Sequence, residues 1–147
     1  MGVRRTHKLL ITYVVISFLV TFVARVVAQS DGAGWTIPEG ASKETNPLSV
    51  APELIDQGKE LYADNCRRCH GPEGRGDGSD ADPDDPPADL TDSRRASRNR
   101  DGVVFHKIWN GRSDPKMPAF KEEGLSKEDV WTIVAYVQSL RKGLRKG

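Results

Sequence analysis

Cys66-Arg67-Arg68-Cys69-His70 is the stretch that decides the fold of this chain, and it holds both cysteines of the 147 residues. The spacing C-x-x-C-H is typical of the attachment site of a c-type haem. Each thiol of such a site forms a thioether with one haem vinyl group, and the adjacent histidine is the proximal ligand of the iron. The motif therefore predicts a redox protein with one haem c bound covalently through Cys66 and Cys69, and with His70 on the iron.

Other chemistries of a C-x-x-C pair fit this sequence less well. A structural zinc site needs a second pair of ligands, and the remaining histidines, His7 and His106, do not form one. A thioredoxin-like C-x-x-C lies near a βαβ pattern, and no such pattern surrounds Cys66. A disulfide between the two cysteines would close too small a loop to stabilise the fold much.

The first 28 residues predict export. Basic residues from Arg4 to Lys8 precede an apolar run from Leu9 to Ala24, and Ala28 offers a small residue for cleavage. This pattern is typical of a secretory signal peptide. Residues 9–28 are also long enough for an uncleaved membrane anchor, in which Arg25 reaches the interface. Both alternatives stay open, and both place the remainder in the periplasm or on the periplasmic face of the cytoplasmic membrane.

The rest of the chain divides by composition. Residues 29–50 are rich in Gly, Ser, Pro and charge and are expected to form a linker or extended arm, in which Trp35 and Ile37 either dock on the domain or move with a mobile arm. Residues 51–143 form the domain, and residues 144–147 are a basic tail. Without residues 1–28, 18 basic and 21 acidic residues remain, and no basic face suggests nucleic-acid binding.

Helical patterns fill the domain, and no strand pattern competes with them. Pro52 is a good first-turn residue for a helix that runs to Asn65. Gly58 interrupts this helix at a cost of about 1 kcal/mol relative to alanine, which suggests that another backbone approaches there. Asp101 is expected to cap a short helix closed by Asn110-Gly111. The sequence thus predicts an all-α fold.

The surest helix follows Ser126, an N-cap residue, and carries apolar residues at helical spacing to Leu140. It is expected to end near Arg141, where cations suit the helix dipole. Short helices joined by long loops would hardly bury a sufficient core without a large apolar group at the centre. Haem is expected to be that group.

Met117 is the candidate second ligand of the iron. Besides the initiator it is the only methionine of the chain, and it lies in Lys116-Met117-Pro118-Ala119-Phe120, where proline opposes helix continuation. A thioether opposite His70 would raise the reduction potential. His106 is the rival ligand, although its position off the apolar face of its helix predicts a solvent-facing side chain.

From about residue 51 to residue 140 the chain resembles a bacterial class I c-type cytochrome. The resemblance rests on a helix with Gly58 and Tyr62, then C-x-x-C-H-G, a Pro-rich loop, Met-Pro-Ala-Phe and a terminal helix with Ala135-Tyr136-Val137. It implies the class I cytochrome c fold, with the first helix crossing the last one near Tyr136.

The resemblance also implies further residues of the haem site. Pro86 or Pro87 would occupy the loop whose backbone carbonyl accepts a hydrogen bond from the ring of His70 and orients it. Pro87, Leu90 and Ile108 would then lie near the haem. An acidic insertion before this loop leaves the choice between the two prolines open.

The sequence also contains one acidic and one basic cluster of residues. Five aspartates lie between Asp77 and Asp85, without the glycine and glutamate positions of an EF-hand, so a solvated acidic loop is expected, with a possible role in steering an electropositive partner. A basic cluster includes Arg94, Arg95, Arg98 and Arg100. One of these arginines could pair with a haem propionate, and the others are expected to face water.

The function expected from these residues is electron transfer rather than catalysis. The domain would carry single electrons between periplasmic or membrane redox proteins, with His70 and Met117 retained on the iron in both oxidation states. One alternative is a haem-bearing subunit of a dehydrogenase or terminal oxidase complex. Another is a gas sensor or enzyme in which Met117 leaves the iron and opens a coordination site.

Overall fold

The computed structural model describes residues 29–30, 34–114 and 116–143. The predicted signal or anchor segment and the basic tail lie outside them. The elements, in chain order, are strand β1 (Gln29–Ser30), strand β2 (Thr36–Ile37), a 3-10 turn (Ala41–Lys43), helix α1 (Pro52–Asn65), helix α2 (Arg67–His70), a 3-10 helix (Ser93–Arg98), helix α3 (Asp101–Asn110) and helix α4 (Lys127–Gly143). The predicted all-α fold is confirmed; the two short strands pair with each other, with Gln29 opposite Ile37.

Helices α1 and α4 cross at Gly58. A Cβ atom on Gly58 would overlap the carbonyl oxygen of Thr132 and would lie 2.9 Å from the Cβ of Tyr136. One turn further along α1, the ring of Tyr62 packs against that of Tyr136 at a centroid distance of 5.1 Å. The close approach predicted from the glycine, and the crossing near Tyr136 implied by the resemblance, are both confirmed.

The core lies between α4 and the faces of α1 and α3 that cover it. Val130, Ile133 and Val134 of α4 are fully buried. On the α3 side, Phe105 stacks on Trp131 with ring centroids 4.3 Å apart. Apolar side chains at helical spacing on each element thus meet in a single cluster.

The two predicted helix starts have different outcomes. Ser126 caps α4 as expected, because its Oγ accepts a hydrogen bond from the Asp129 amide at 3.1 Å, while the Asp129 carboxylate accepts one from the Ser126 amide at 2.8 Å. The expectation that Asp101 caps α3 is wrong, since Arg100 is the N-cap and Asp101 lies inside the helix. The Asp101 carboxylate is instead occupied by tertiary partners, the amide of Asn46 and Nε2 of Gln138.

Residues 34–50 pack on the domain, so the structure favours the docked alternative for Trp35. Trp35 is only 9 % exposed and Ala41 is fully buried. The amide of Gly102, in the first turn of α3, donates to the carbonyl of Glu44 at 3.2 Å. Within the part of the chain that the structure describes, no helix combines the length and the apolar character needed to cross a membrane.

Candidate functional site

The C-x-x-C-H motif forms a tight turn at the end of α1. Cys66 lies between α1 and α2, and its carbonyl accepts the His70 amide at 2.9 Å. Cys66 is buried whereas Cys69 is exposed. In the thiol form that precedes haem attachment, burial, with a smaller contribution from Cys69, raises the pKa of Cys66 to about 12.

The backbone around His70 is held by its neighbours. Gly71 ends α2 with a positive φ of 78°, which suits glycine. The carbonyl of Gly71 accepts a hydrogen bond from the buried hydroxyl of Tyr62 at 2.8 Å. Burial raises the pKa of Tyr62 well above its usual range, so this hydroxyl stays a donor. The hydrogen bond from Tyr62 of α1 therefore holds the backbone that follows His70 in place.

The imidazole of His70 is suited to hold a metal ion. Its Nδ1 is buried and has no well-formed hydrogen bond among the described residues. Burial is the larger effect on its pKa and lowers it, while the nearby backbone carbonyl of Ala88 acts in the opposite direction. A neutral imidazole is the form that binds metals, and burial of Nδ1 leaves Nε2 as the available nitrogen. The donor set of two thiols and this histidine fits a haem c.

The backbone carbonyl that acts on His70 belongs to Ala88, which directly follows Pro86 and Pro87 in the loop that the resemblance implies. The carbonyl of Pro87 lies against Gly76, where a Cβ atom would overlap it. Pro87 itself is half-buried, and its place beside the haem stays a prediction.

The acidic loop is tied to the cysteine motif through its backbone. The amide of Gly76 donates to the His70 carbonyl at 2.9 Å, that of Gly78 to Cys69 at 3.2 Å and that of Asp80 to Arg68 at 2.8 Å. The Asp80 carboxylate also pairs with Arg68 at 2.7 Å. The aspartates of the loop are exposed, and no group of three or more acidic, histidine or cysteine side chains among the described residues could hold a metal ion.

Met117 lies in a turn held at its base by backbone hydrogen bonds. The Arg112 amide donates to the Met117 carbonyl and the Met117 amide donates to the Arg112 carbonyl, each at 2.9 Å. Gly111 precedes this pair with a φ of 60°, and a Cβ atom on it would overlap the Met117 carbonyl. The Met117 side chain packs against the apolar cluster that contains Cys66 and Ile108.

The structure brings most of the predicted site residues together. Cys66 and Ile108 belong to the apolar cluster, and Leu90 and Met117 pack on it, although these residues come from segments far apart in sequence. His70 lies one helical turn beyond Cys66, while Cys69 and Pro87 lie toward the surface.

Arg141 is a residue of the site region that the sequence reasoning missed. It is 7 % exposed, its Nε donates to the carbonyl of Leu90 at 3.1 Å, and its Nη1 donates to Asn99 at 3.0 Å and to Gln138 at 2.7 Å. Burial lowers its pKa. The available signal was its position four residues after Val137, on the apolar stripe of α4.

Of the remaining candidates, His106 departs from the sequence expectation, whereas the arginines of the basic cluster are exposed as expected. The prediction that His106 faces solvent is wrong, because its side chain is 17 % exposed and its Nε2 lies 3.2 Å from the carboxylate of Glu44. The N-terminal arm covers the side of α3 that the helical periodicity predicted to be exposed to solvent. In the basic cluster, Arg94 and Arg95 pair with Asp92 at 3.0 and 3.5 Å.

Two comparisons relate this chain to known proteins. Residues 53–137 match the family model of cytochrome c oxidase, cbb3-type, subunit III, and this range includes the cysteine motif and Met117. A solved chain of the reducing HAO-like protein complex of Kuenenia stuttgartiensis is similar, with a TM-score of 0.54 and 33 % identity over 64 % of this chain. The match covers 46 % of that solved chain, so this chain spans about half its length.

The domain is a c-type cytochrome domain with covalently bound haem c, and its role is electron transfer with redox partner proteins. The matched range extends from the first turn of α1 into the last turns of α4 and includes more than half of the 147 residues. The chain therefore belongs to the family of cbb3-type cytochrome c oxidase subunit III.

Proposed function

We propose that this domain carries single electrons as a monohaem cytochrome, with Cys66 and Cys69 as the attachment residues and His70 and Met117 as the axial ligands of the iron. The observation that carries the proposal is the apolar cluster that joins Cys66, Leu90, Ile108 and Met117. The packing of Met117 on the cluster that contains Cys66 supports its assignment as the second ligand.

Each protein group has a separate task in this proposal. The haem iron, when bound, accepts and releases one electron by alternating between its ferric and ferrous states. The thiols of Cys66 and Cys69 each add across a vinyl group, so that an S–H bond breaks, a C–S bond forms and the proton goes to the neighbouring carbon without net oxidation. His70 is oriented by the backbone on either side of it, and Met117 by the turn that carries it.

The apolar lining keeps water away from the iron. Leu90 and Ile108 would contribute to this lining, with Pro87 at its edge. A rigid and dry pocket reorganises little when the charge of the iron changes, and the axial ligands, burial and hydrogen bonds set the potential. A six-coordinate iron with both ligands retained leaves no position for a substrate, which supports a carrier rather than a catalyst.

The setting proposed for this chemistry is the periplasm or the periplasmic face of the membrane, in keeping with the signal or anchor pattern of residues 1–28. The donor and acceptor are proposed to be periplasmic or membrane redox proteins. The family description also favours a second candidate, a subunit of a larger oxidase or dehydrogenase complex. Purification from its native membrane, alone or with larger subunits, separates the two.

Substitution of Met117 by alanine tests the ligand assignment. The variant is expected to keep its haem through denaturing electrophoresis, to lose the methionine-to-iron absorption band of the ferric form and to show a lower midpoint potential, because a thioether ligand favours the ferrous state. It should also bind cyanide at lower concentration than the wild type. Lys116→Ala, at the exposed neighbouring position, is the control and should change none of these.

The outcomes separate the proposals. A Met117→Ala spectrum and potential identical to those of the wild type would contradict the assignment. If the wild type itself binds carbon monoxide or cyanide readily, the sensor or enzyme alternative gains support. Replacement of both Cys66 and Cys69 by alanine should abolish covalent attachment, and haem that survives denaturation in that variant would exclude these cysteines as the anchors.

A further inference from the structure

We infer that Trp35 is a positioning residue for the Met117 ligand, through which the N-terminal arm (residues 34–46) holds the Met117 loop (residues 111–120) in place. The inference rests on the proposed function, because it takes Met117 as the axial ligand. It assigns a role in iron ligation to a segment that composition marks as a linker.

The first step is the contact between Trp35 and the Met117 loop. Trp35 is 9 % exposed, and the guanidinium carbon of Arg112 lies 4.3 Å from the centroid of its ring. The ammonium of Lys107, on α3, lies 5.1 Å from the same centroid. A cation over the face of an indole is attracted by the negative charge of the ring face, and more so where water is excluded. The indole therefore joins α3 to the start of the Met117 loop.

The second step leads from Arg112 to Met117. These two residues exchange both backbone hydrogen bonds at 2.9 Å and form an isolated antiparallel bridge. A displacement of Arg112 therefore moves the backbone of Met117 directly. At the far end of the loop, the Phe120 amide donates to the Ile108 carbonyl at 3.1 Å.

Neighbouring residues of the arm also lie against this loop. A Cβ atom on Gly34 would be 3.2 Å from the carbonyl oxygen of Asp114, so the arm passes close to the tip of the turn. One residue after Trp35, the carbonyl of Thr36 accepts a weak hydrogen bond from Asn110 Nδ2 at 3.5 Å. The arm thus lies against the loop just before Trp35 and against the end of α3 just after it.

The arm can hold the loop because its own far end is fixed. Ala41 is fully buried and a Cβ atom on Gly102 of α3 would overlap its carbonyl oxygen. Nδ2 of Asn46 donates to the Trp131 carbonyl of α4 at 2.8 Å. With the end of the arm anchored on α3 and α4, Trp35 transmits the position of the helices to the loop that carries the ligand.

The test uses the haem-loaded full chain with Trp35 replaced by alanine, leucine or phenylalanine. Leucine keeps an apolar side chain but removes the aromatic face, whereas phenylalanine retains that face and should restore wild-type behaviour. Val50→Ala, at an exposed position of the same N-terminal region, is the matched control. The measurements are hydrogen–deuterium exchange of the Arg112 and Met117 amides and the rate of cyanide binding to the ferric protein.

For Trp35→Ala and Trp35→Leu we expect both rates to rise by about 2- to 30-fold, the factor that corresponds to one cation–aromatic contact. The methionine-to-iron band should disappear at a lower denaturant concentration than in the wild type. Exchange of the α1 amides, such as that of Tyr62, should change less than exchange at Arg112 and Met117. Covalent haem attachment should not change, because the cysteine motif is not altered.

Two results would overturn the inference. One is unchanged exchange at Arg112 and Met117 in the leucine variant. The other is an equal acceleration of exchange in α1 and in the loop, which would show a general loss of stability. Failure of the proposed function is distinguishable, because it appears as the absence of the methionine-to-iron band from the wild type, and the exchange comparison does not depend on that band.

Discussion

At the scale of single residues, the fold depends most on Gly58, a residue without a side chain. Gly58 lets the backbone of α1 lie against Thr132 and Tyr136 of α4, and the same crossing buries Tyr62, whose hydroxyl holds the Gly71 carbonyl next to His70. The glycine is unfavourable for an isolated helix by about 1 kcal/mol. Its cost is offset by the packing that it permits, and this packing extends to the backbone next to His70, the proposed iron ligand.

Replacement of Gly58 by alanine is therefore expected to destabilise the domain by about 1–3 kcal/mol, because overpacking at the crossing outweighs the gain in helix propensity. The measurement is the free energy of unfolding from urea denaturation of the haem-loaded protein. Gln57→Ala, on an exposed part of the same helix, is the control and should stay within about 0.5 kcal/mol of the wild type. A more stable Gly58→Ala variant would show that the helices can separate at no cost.

At the scale of elements, α4 does more than supply the core, because its last turns also hold the loop that carries Leu90. Arg141 binds the carbonyls of Leu90 and Asn99, and Gln138 binds Asn99 and Asp101. Between Leu90 and α3, Thr91 is buried, whereas the side chains of the 3-10 helix Ser93–Arg98 are exposed. The hydrogen bonds to α4 therefore help to hold this segment in place.

Replacement of Arg141 by methionine should destabilise the domain by about 1–3 kcal/mol, since it leaves two backbone carbonyls without their charged donor. Arg141→Lys should recover only part of this loss, because a single ammonium cannot reproduce the forked geometry of the guanidinium. Chemical denaturation measures the effect, with the exposed Arg98→Met as the control. If Arg141→Met and Arg98→Met unfold at the same denaturant concentration, the two carbonyls find other partners.

At the scale of the whole molecule, the distribution of charge distinguishes one region of the surface. The exposed aspartates between Asp77 and Asp85 belong to the loop tied to Arg68, Cys69 and His70 by backbone hydrogen bonds. Negative charge is thus concentrated beside the haem attachment motif. Such a surface attracts a positively charged partner and repels a negatively charged one.

Electron transfer to a small cationic oxidant should consequently slow as salt is added, because the Debye length falls to about 10 Å at 0.1 M ionic strength. The paired variant Asp84→Asn/Asp85→Asn should transfer more slowly at low salt and show a weaker salt dependence in stopped-flow experiments. The control is Glu53→Gln/Asp56→Asn, which removes the same charge from the start of α1, about 15 Å of helix before Cys66. Equal effects of the two pairs would assign the attraction to net charge alone.

The sequence by itself determined the parts of this protein that depend on neighbouring residues. The C-x-x-C-H spacing indicated the cofactor, and the Pro52 and Ser126 signals located the starts of α1 and α4, because caps and thiol spacing are decided within a few residues. The propensity cost of Gly58 indicated that another backbone approaches the helix there. Met117 became a candidate because it is the only methionine within the domain.

Only the tertiary structure decided which groups far apart in sequence meet. It assigned Asp101 to Asn46 and Gln138, His106 to Glu44, the carbonyl near His70 to Ala88 and the guanidinium of Arg141 to two loop carbonyls. Local sequence patterns show that a side chain is polar. They do not show which distant group of the protein, in place of water, becomes its hydrogen-bond partner. That choice follows from how the arm and the loops pass over the helices.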